Sequence, residues 1–133
     1  MRILVVAGSW PWPARQGDRV RLDAWIRLLA GRHQVTLAVP GGGGEPPYQL
    51  AVVGLPSVVP AWSGLIRRPH WPLTAARYDS SAIQTRVAEL MGEVDGALFY
   101  QLRTVGWLGQ IEPERVLVDL TDALSLYYRR RAV

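Results

Sequence analysis

The sequence predicts an α/β fold with a doubly wound parallel sheet of about five strands flanked by helices, and three observations near the amino terminus carry this prediction. The chain opens with a short β-branched apolar run, Arg2 to Ala7, which is typical of a strand covered on both faces. Residues 8–17 cannot form a regular helix or strand because prolines interrupt them. From Asp18 the apolar residues recur with a helical period, and a second apolar run, residues 35–39, follows at once. This order indicates a parallel sheet with a ligand crevice at the carboxyl ends of its strands.

The middle of the chain continues the alternation of strands and helices. Apolar runs at residues 49–55, 97–101 and 115–120 are predicted to be the third, fourth and fifth strands. The first helix is predicted to pack through one apolar face, made of Leu22, Trp25, Ile26 and Leu29. Ser80 or Ser81 is expected to cap a further helix, whose apolar face comprises Ile83, Val87, Leu90 and Met91.

Two shorter helical segments are predicted towards the end of the chain. Residues 104–110 form a brief segment with Trp107 and Leu108 turned inward. Asp122 is expected to cap a last helix, which reaches Val133 without a glycine or proline stop signal. We therefore expect the chain to be one half of a larger protein.

Length and composition indicate one globular domain and argue against several classes of protein. The chain has 133 residues and no cysteine, so neither disulfides nor thiolate metal sites are available. Its net charge is +4 and every basic residue is arginine, but only Arg67-Arg68 and residues 129–131 are clustered. Because a nucleic-acid-binding face would interleave its basic residues, no nucleic acid is expected as a partner. The opening apolar run is too short to span a bilayer and lacks a cleavage site, which favours a cytoplasmic location.

The common cofactor and metal motifs are missing from the sequence. The first strand is followed by Gly8-Ser9-Trp10-Pro11 rather than by a dinucleotide-binding G-x-G-x-x-G motif. Prolines and another strand follow the four glycines at 41–44, where a phosphate-binding loop needs a Lys-Ser/Thr pair and a helix. We therefore interpret residues 40–47 as a solvated loop. His70 lies near no other histidine in the sequence, so no metal site is expected.

Residues 56–72 are apolar and aromatic but have no regular period, because four prolines interrupt them. Trp62 and Trp71 beside Arg67 and Arg68 suit a peripheral contact with the inner face of the cell membrane. The alternative interpretation, and the more common one for such a segment, is a short helix folded back on the sheet.

Polar residues at the predicted crevice form the candidate site. Gly17 and Asp18 stand at the amino end of the first helix, where free N–H groups and the helix dipole favour a phosphate, although Asp18 has the alternative role of N-cap. Arg103, after the fourth strand, can neutralise a phosphate. Asp119 and Asp122, around the end of the fifth strand, can orient a sugar hydroxyl. Helix capping is the alternative for Asp122, whereas an apolar environment at Asp119 demands a partner or a ligand.

Two blocks of the sequence carry a family resemblance. The first comprises Pro11-Trp12-Pro13, Gly17-Asp18-Arg19 and residues 31–37, and the second comprises residues 72–80, 101–104 and 118–130. Together they resemble the amino-terminal half of GT-B glycosyltransferases of family 4. The second block is similar to a bacterial exopolysaccharide-associated branch of that family. The resemblance extends over nearly the whole chain except residues 40–70.

The resemblance implies that residues 1–133 are a single Rossmann-like, acceptor-side domain, with the donor-binding carboxyl-terminal domain outside this chain. It implies a retaining enzyme that transfers a hexose from a nucleotide-sugar to a glycan or a lipid-linked acceptor. The nucleotide-sugar is then a substrate, and no metal or other cofactor is expected. Gly17 and Asp18 would approach the donor diphosphate. The acceptor side of the cleft would comprise Trp10, Trp12, Arg15, Gln101, Arg103 and Thr121.

The sequence departs from the family pattern at two positions. Gln16 stands where the family usually has the first glycine of a Gly-Gly pair, so a close approach of the backbone to the diphosphate rests on Gly17 alone. Thr121 stands where many members have a histidine. The identity of a polar catalytic residue is therefore open, with Asp119 and Asp122 as the candidates.

A second hypothesis comes from a different class of function. The tryptophan-rich loops, with Trp10, Trp12, Trp62 and Trp71, also fit a stand-alone α/β binding or interaction module without catalysis. Vesicle flotation or a self-association measurement separates the two hypotheses.

Overall fold

Five short strands pair in one sheet in a computed structural model of the chain, which describes residues 1–58, 61–67, 69–70, 78–109 and 112–120. The strands are β1 (Arg2–Val6), β2 (Gln34–Pro40), β3 (Ala51–Leu55), β4 (Gly96–Tyr100) and β5 (Val116–Asp119). Their order is β3-β2-β1-β4-β5, and all four pairings are parallel. The predicted α/β fold with a Rossmann-like parallel sheet is therefore confirmed.

Helices cover both faces of this sheet. They are α1 (Gly17–Ala30), α2 (Ala61–Arg67) and α3 (Ser81–Met91), with two 3-10 helices, Leu102–Trp107 and Pro113–Arg115. Alternate residues of each strand point to opposite faces of the sheet, and each face has its own core cluster. β1 contributes Leu4 and Val6 to the first core cluster and Val5 to the second. Trp107 is fully buried in the first cluster, and Leu108 packs against it, as predicted.

The first core cluster lies under α3. Its helical face consists of the four residues predicted from the sequence, Ile83, Val87, Leu90 and Met91. The Ser80 side chain accepts a hydrogen bond of 3.2 Å from the backbone N–H of Ile83, which confirms Ser80 as the N-cap.

The second core cluster lies under α1. Leu22 and Ile26 are buried there, and Trp25 and Leu29 pack against the cluster, as their spacing predicted. The N-cap of α1 is Gln16, whose side chain makes no capping hydrogen bond. The prediction that Asp18 caps the helix is therefore wrong. Asp18 is instead the second residue of the helix, because the helix begins at Gly17 rather than at Arg19.

The glycine loop after β2 is mostly exposed to solvent, and one of its glycines lies against Trp10. Gly41 and Gly42 adopt positive φ angles of 71° and 72°, a backbone conformation that favours glycine. A Cβ atom at Gly43 would collide with the indole of Trp10. The interpretation of residues 40–47 as a solvated loop is confirmed by their exposure, and Trp10 in addition occupies the space that a side chain at position 43 would need.

The segment after β3 contains the short helix predicted as one alternative, but α2 leaves two large apolar side chains in solvent. Trp62 is 65% exposed and Ile66 is 74% exposed. No helix among the described residues is long and apolar enough to cross a membrane. The predicted last helix, with Thr121 and Asp122, lies outside the described residues, as does Trp71.

Candidate functional site

A cleft lies at the point where the strand order of the sheet reverses direction. β1 pairs with β2 on one side and with β4 on the other, so the connections that leave β1 and β4 diverge above their carboxyl ends. Open α/β sheets bind ligands in this crevice. Gly8 and Ser9 after β1, Asp18 and Arg19 of α1, and Arg103 after β4 are among the residues that line it.

The amino end of α1 forms one wall of the cleft. The side chain of Gln16 caps none of the first amides of the helix, and the first internal backbone bond runs from Val20 N–H to Gln16 O. The hydroxyl of the buried Tyr100 donates a hydrogen bond of 2.6 Å to the backbone carbonyl of Asp18. A Cβ atom at Gly17 would contact nothing within 4 Å, so packing within the chain does not require a glycine there.

Arg103 forms the opposite wall. Its Nη1 donates a hydrogen bond of 3.3 Å to the hydroxyl of Tyr78, and its guanidinium carbon lies 5.3 Å from the centre of that ring. Its Nε atom is buried and has no hydrogen-bond partner among the described residues. A Cβ atom at Gly8 would come within 2.8 Å of this Nε. Glycine at position 8 therefore lets the guanidinium lie against the backbone that leaves β1.

The cleft is small and open to solvent. Its cavity volume is about 10 Å³, whereas pockets that enclose a drug-sized ligand typically have roughly 300–1,000 Å³. A cavity of this size encloses about one water molecule, so a phosphate group would contact the residues at its open rim, and a nucleotide-sugar cannot be enclosed. A larger ligand would need a second surface.

Asp119, the carboxylate that sequence analysis expected to need a partner, is bound by side chains of α1. Its Oδ2 accepts hydrogen bonds from Arg21 Nε at 2.9 Å and from Trp25 Nε1 at 2.6 Å. The Asp119 side chain is 5% exposed. Its hydrogen bond and charge raise the pKa of Arg21. These contacts join the end of β5 to α1, so the burial of this carboxylate needs no ligand.

The two tryptophans of the first loop are not among the described residues that line the cleft. Trp12 and Tyr48 both donate hydrogen bonds of 2.8 Å to Oδ1 of Asp23, and Arg27 Nε donates one of 2.8 Å to Oδ2. The rings of Trp10 and Trp12 meet edge to face with centroids 5.1 Å apart. Both tryptophans pack against the second core cluster. We call Trp10, Trp12, Asp23, Arg27 and Tyr48 the tryptophan cluster.

The electrostatics of the tryptophan cluster centre on Asp23. Burial raises the pKa of Asp23, but the hydrogen bonds from Arg27, Trp12 and Tyr48 outweigh it and leave the pKa below its usual value of 3.8. Burial, followed by the hydrogen bond to Asp23, raises the pKa of Tyr48. The cluster therefore keeps an ionised carboxylate beside a neutral phenol.

The structure brings together only part of the site that the sequence predicted. Asp18 and Arg103 both line the cleft, and Gly17 is the first residue of the adjoining helix. Arg15 is exposed and Gln101 is buried. Neither is among the residues that line the cleft. Thr121 and Asp122 lie outside the described residues.

Gln101 has an unusual backbone at the carboxyl end of β4. Its φ and ψ angles are 72° and 153°, a combination that residues other than glycine rarely adopt. Its carbonyl accepts hydrogen bonds from both the backbone N–H and the hydroxyl of Thr104. This turn directs the chain from β4 into the 3-10 helix that carries Arg103.

Sequence reasoning missed Gly8, Tyr78 and Tyr100 as contributors to the site. Gly8 has a recognisable signal, because it is the first residue of the loop after β1, where glycine allows close approach. Tyr78 and Tyr100 have none, since their contacts with Arg103 and Asp18 span 25 and 82 residues.

Comparisons with protein-family models, with curated proteins and with solved structures found no match to this chain. Among the described residues, no three histidine, aspartate or glutamate side chains cluster as metal ligands would. The function is therefore argued from the geometry of the cleft and from the chemistry of the residues around it.

Proposed function

We propose that the chain is the acceptor-side domain of a sugar transferase, which moves a sugar from a nucleotide-sugar to a glycan or a lipid-linked acceptor. The observation that carries this proposal is the cleft at the reversal of strand order, where the guanidinium of Arg103 and the uncapped amino end of α1 line the same space. A fixed cation and a helix amino end together favour a phosphate.

The chemistry of such a transfer needs little covalent participation from this domain. When the bond between the sugar and the diphosphate breaks, negative charge builds up on the departing phosphate oxygens. Arg103 and the first amides of α1 would stabilise that charge. Gly17 supports this role, because the absence of a side chain there leaves the helix end accessible.

The size of the cleft supports an arrangement in which most of the nucleotide-sugar binds to another domain. The cavity of about 10 Å³ is too small for a nucleotide and a sugar, so in this proposal one phosphate group binds at the open rim of the cleft. In this proposal the chain alone binds phosphate weakly and transfers no sugar. In this proposal Asp119 positions α1 beside the cleft, because it accepts hydrogen bonds from Arg21 and Trp25 of that helix.

The proposal is tested by measuring the affinity of the chain for inorganic pyrophosphate by phosphorus NMR line broadening. We expect a dissociation constant in the millimolar range and at least about a tenfold weaker affinity for Arg103→Gln, because the cation is lost. Gly8→Ala is expected to weaken binding as well, since the new Cβ would displace the guanidinium.

The control is Arg86→Gln, which removes a cation from α3. Arg86 pairs with Glu89 at 2.8 Å and is 40% exposed, so this variant should bind pyrophosphate like the parent chain. Equal affinity in the parent and in Arg103→Gln would contradict the proposal, because the charge at the cleft would then have no part in binding.

A second candidate function, a binding or interaction module without catalysis, is favoured by the exposure of Trp62 and Ile66 on α2. Trp10 and Trp12 no longer support it, because both pack against the second core cluster. The two functions are separated by whether Arg103→Gln or changes on α2 impair binding of a partner.

A further inference from the structure

The helix α2 presents a pair of exposed apolar side chains. Trp62 and Ile66 are four residues apart and therefore lie on the same side of the helix, one turn from each other. They are 65% and 74% exposed. Single exposed apolar residues are ordinary on protein surfaces. An exposed tryptophan next to an exposed isoleucine instead gives a continuous apolar face on one short helix.

Basic residues predominate in the part of the sequence that contains this helix. The sequence contains no acidic residue between Glu45 and Asp79, and its three arginines in that stretch are Arg67, Arg68 and Arg77. Arg67 ends α2, and its side chain is 47% exposed. The net charge of the whole chain is +4. Such an excess of basic residues in the sequence favours an anionic partner.

The position of Arg67 is fixed beside the apolar pair. Its Nη2 donates a hydrogen bond of 2.8 Å to the backbone carbonyl of Asp79, and its Nε lies 3.8 Å from Oδ2 of the same residue. Because Asp79 adjoins Tyr78, which accepts the hydrogen bond from Arg103, one chain of contacts joins α2 to the cleft.

We propose that α2 is a docking surface for a membrane that contains anionic lipid, with Trp62 and Ile66 in the interfacial layer and Arg67 at the phosphate groups. Tryptophan and isoleucine partition into the boundary between head groups and acyl chains, while arginine binds lipid phosphates. A basic residue near an anionic membrane raises the affinity about fivefold. This inference does not rest on the proposed sugar transfer. If both hold, the contacts from α2 to Arg103 place the cleft beside a lipid-linked acceptor.

The test is flotation of the 133-residue chain with vesicles of phosphatidylcholine alone and with vesicles that also contain phosphatidylglycerol. We expect association with the mixed vesicles only, and less association at high salt. The double variant Trp62→Ala/Ile66→Ala should associate at least about tenfold less, because it loses the apolar contact. Arg67→Gln should reduce association about fivefold.

The matched control is Leu28→Ala, because Leu28 on α1 is also 65% exposed. This variant should float like the parent chain. Since all these side chains are exposed, the variants are expected to keep the parent's circular dichroism spectrum and urea midpoint.

A second measurement is fluorescence from a label on one introduced cysteine, which is the single labelling site because the chain contains no other cysteine. An environment-sensitive fluorophore on Ile66→Cys should shift its emission to the blue with mixed vesicles, and the same label on Leu28→Cys should not. The inference is overturned if the parent chain floats with neither kind of vesicle, or if the double variant floats equally well. It is also overturned if sedimentation shows a dimer that the double variant lacks while neither protein binds vesicles, because α2 would then contact a second copy.

Discussion

Asp119 lies at the end of β5, and the side chains that bind it lie almost at the other end of the chain. Its hydrogen bonds with Arg21 and Trp25 span 98 and 94 residues. The sequence indicated that a carboxylate in this apolar strand needs a partner, since an unpaired buried charge is strongly unfavourable. It could not identify the partner, because periodicity places α1 over the sheet without fixing which strand its polar side chains reach.

We predict that Asp119→Asn destabilises the chain by about 1–3 kcal/mol, because the charge-assisted hydrogen bonds from Arg21 and Trp25 weaken to neutral ones. Urea unfolding followed by circular dichroism gives this free energy. Glu114→Gln, at an exposed carboxylate, is the control and should leave the urea midpoint unchanged. A midpoint for Asp119→Asn equal to that of the parent would show that the contact contributes nothing to stability.

Asp23 makes stability depend on pH. Because its hydrogen bonds hold the pKa in the folded chain below the usual 3.8, the unfolded chain binds more protons in mildly acidic solution. The stabilisation is therefore complete above about pH 4 and is lost as the pH falls through the lowered folded-state pKa. We predict that Asp23→Asn removes this part of the acid-induced loss of stability.

The measurement is the free energy of unfolding of Asp23→Asn and of the parent, from about pH 6 to about pH 2. At neutral pH the variant should be less stable by about 1 kcal/mol, since an amide accepts weaker hydrogen bonds than a carboxylate. Glu93→Gln, at an exposed position, should retain the parent's pH dependence. Parallel curves for Asp23→Asn and the parent would rule out this role of Asp23.

At the scale of secondary-structure elements, the sequence predicts the cores of the helices and strands well and the loops poorly. The apolar face of α3 and its Ser80 cap follow from local periodicity and from the hydrogen bond that serine offers to an uncapped helix. The packing of residues 40–47 does not follow from local pattern, because Gly43 is needed only where Trp10, from another loop, covers it. The sequence predicts too late a start for α1, because an aspartate in the first turn of a helix resembles an N-cap.

The glycine loop yields a prediction with a control one residue away. Gly43→Ala should destabilise the chain by about 1–3 kcal/mol and alter its tryptophan fluorescence, because the new methyl group forces Trp10 out of place. At Gly44 a Cβ would lie 3.8 Å from the Trp10 Nε1, an ordinary contact. Gly44→Ala should therefore have little effect on either property. Equal effects of the two substitutions would show that Trp10 does not pack against position 43.

At the scale of the whole molecule, the doubly wound sheet could be predicted for two reasons. The apolar pattern of each strand and helix is visible in the local sequence, and parallel connections are right-handed. The strand order β3-β2-β1-β4-β5 then places the carboxyl ends of β1 and β4 beside the amino end of α1. The composition of the cleft could be predicted only in part. Gly17, Asp18 and Arg103 follow from their positions after strands, whereas Gly8 and Tyr78 gain their roles from contact with Arg103.

The proposed function requires the cleft between α1 and Arg103 to bind a phosphate group of a nucleotide-sugar. The most direct test is a nitrogen–proton NMR titration of the chain with uridine diphosphate. We expect the largest chemical-shift changes at the amides of Gly8, Gly17, Asp18 and Arg19 and at the Nε–H of Arg103. It would be contradicted if no resonance shifted at millimolar ligand, or if the largest shifts lay in the glycine loop at 41–44 and left Arg103 unchanged.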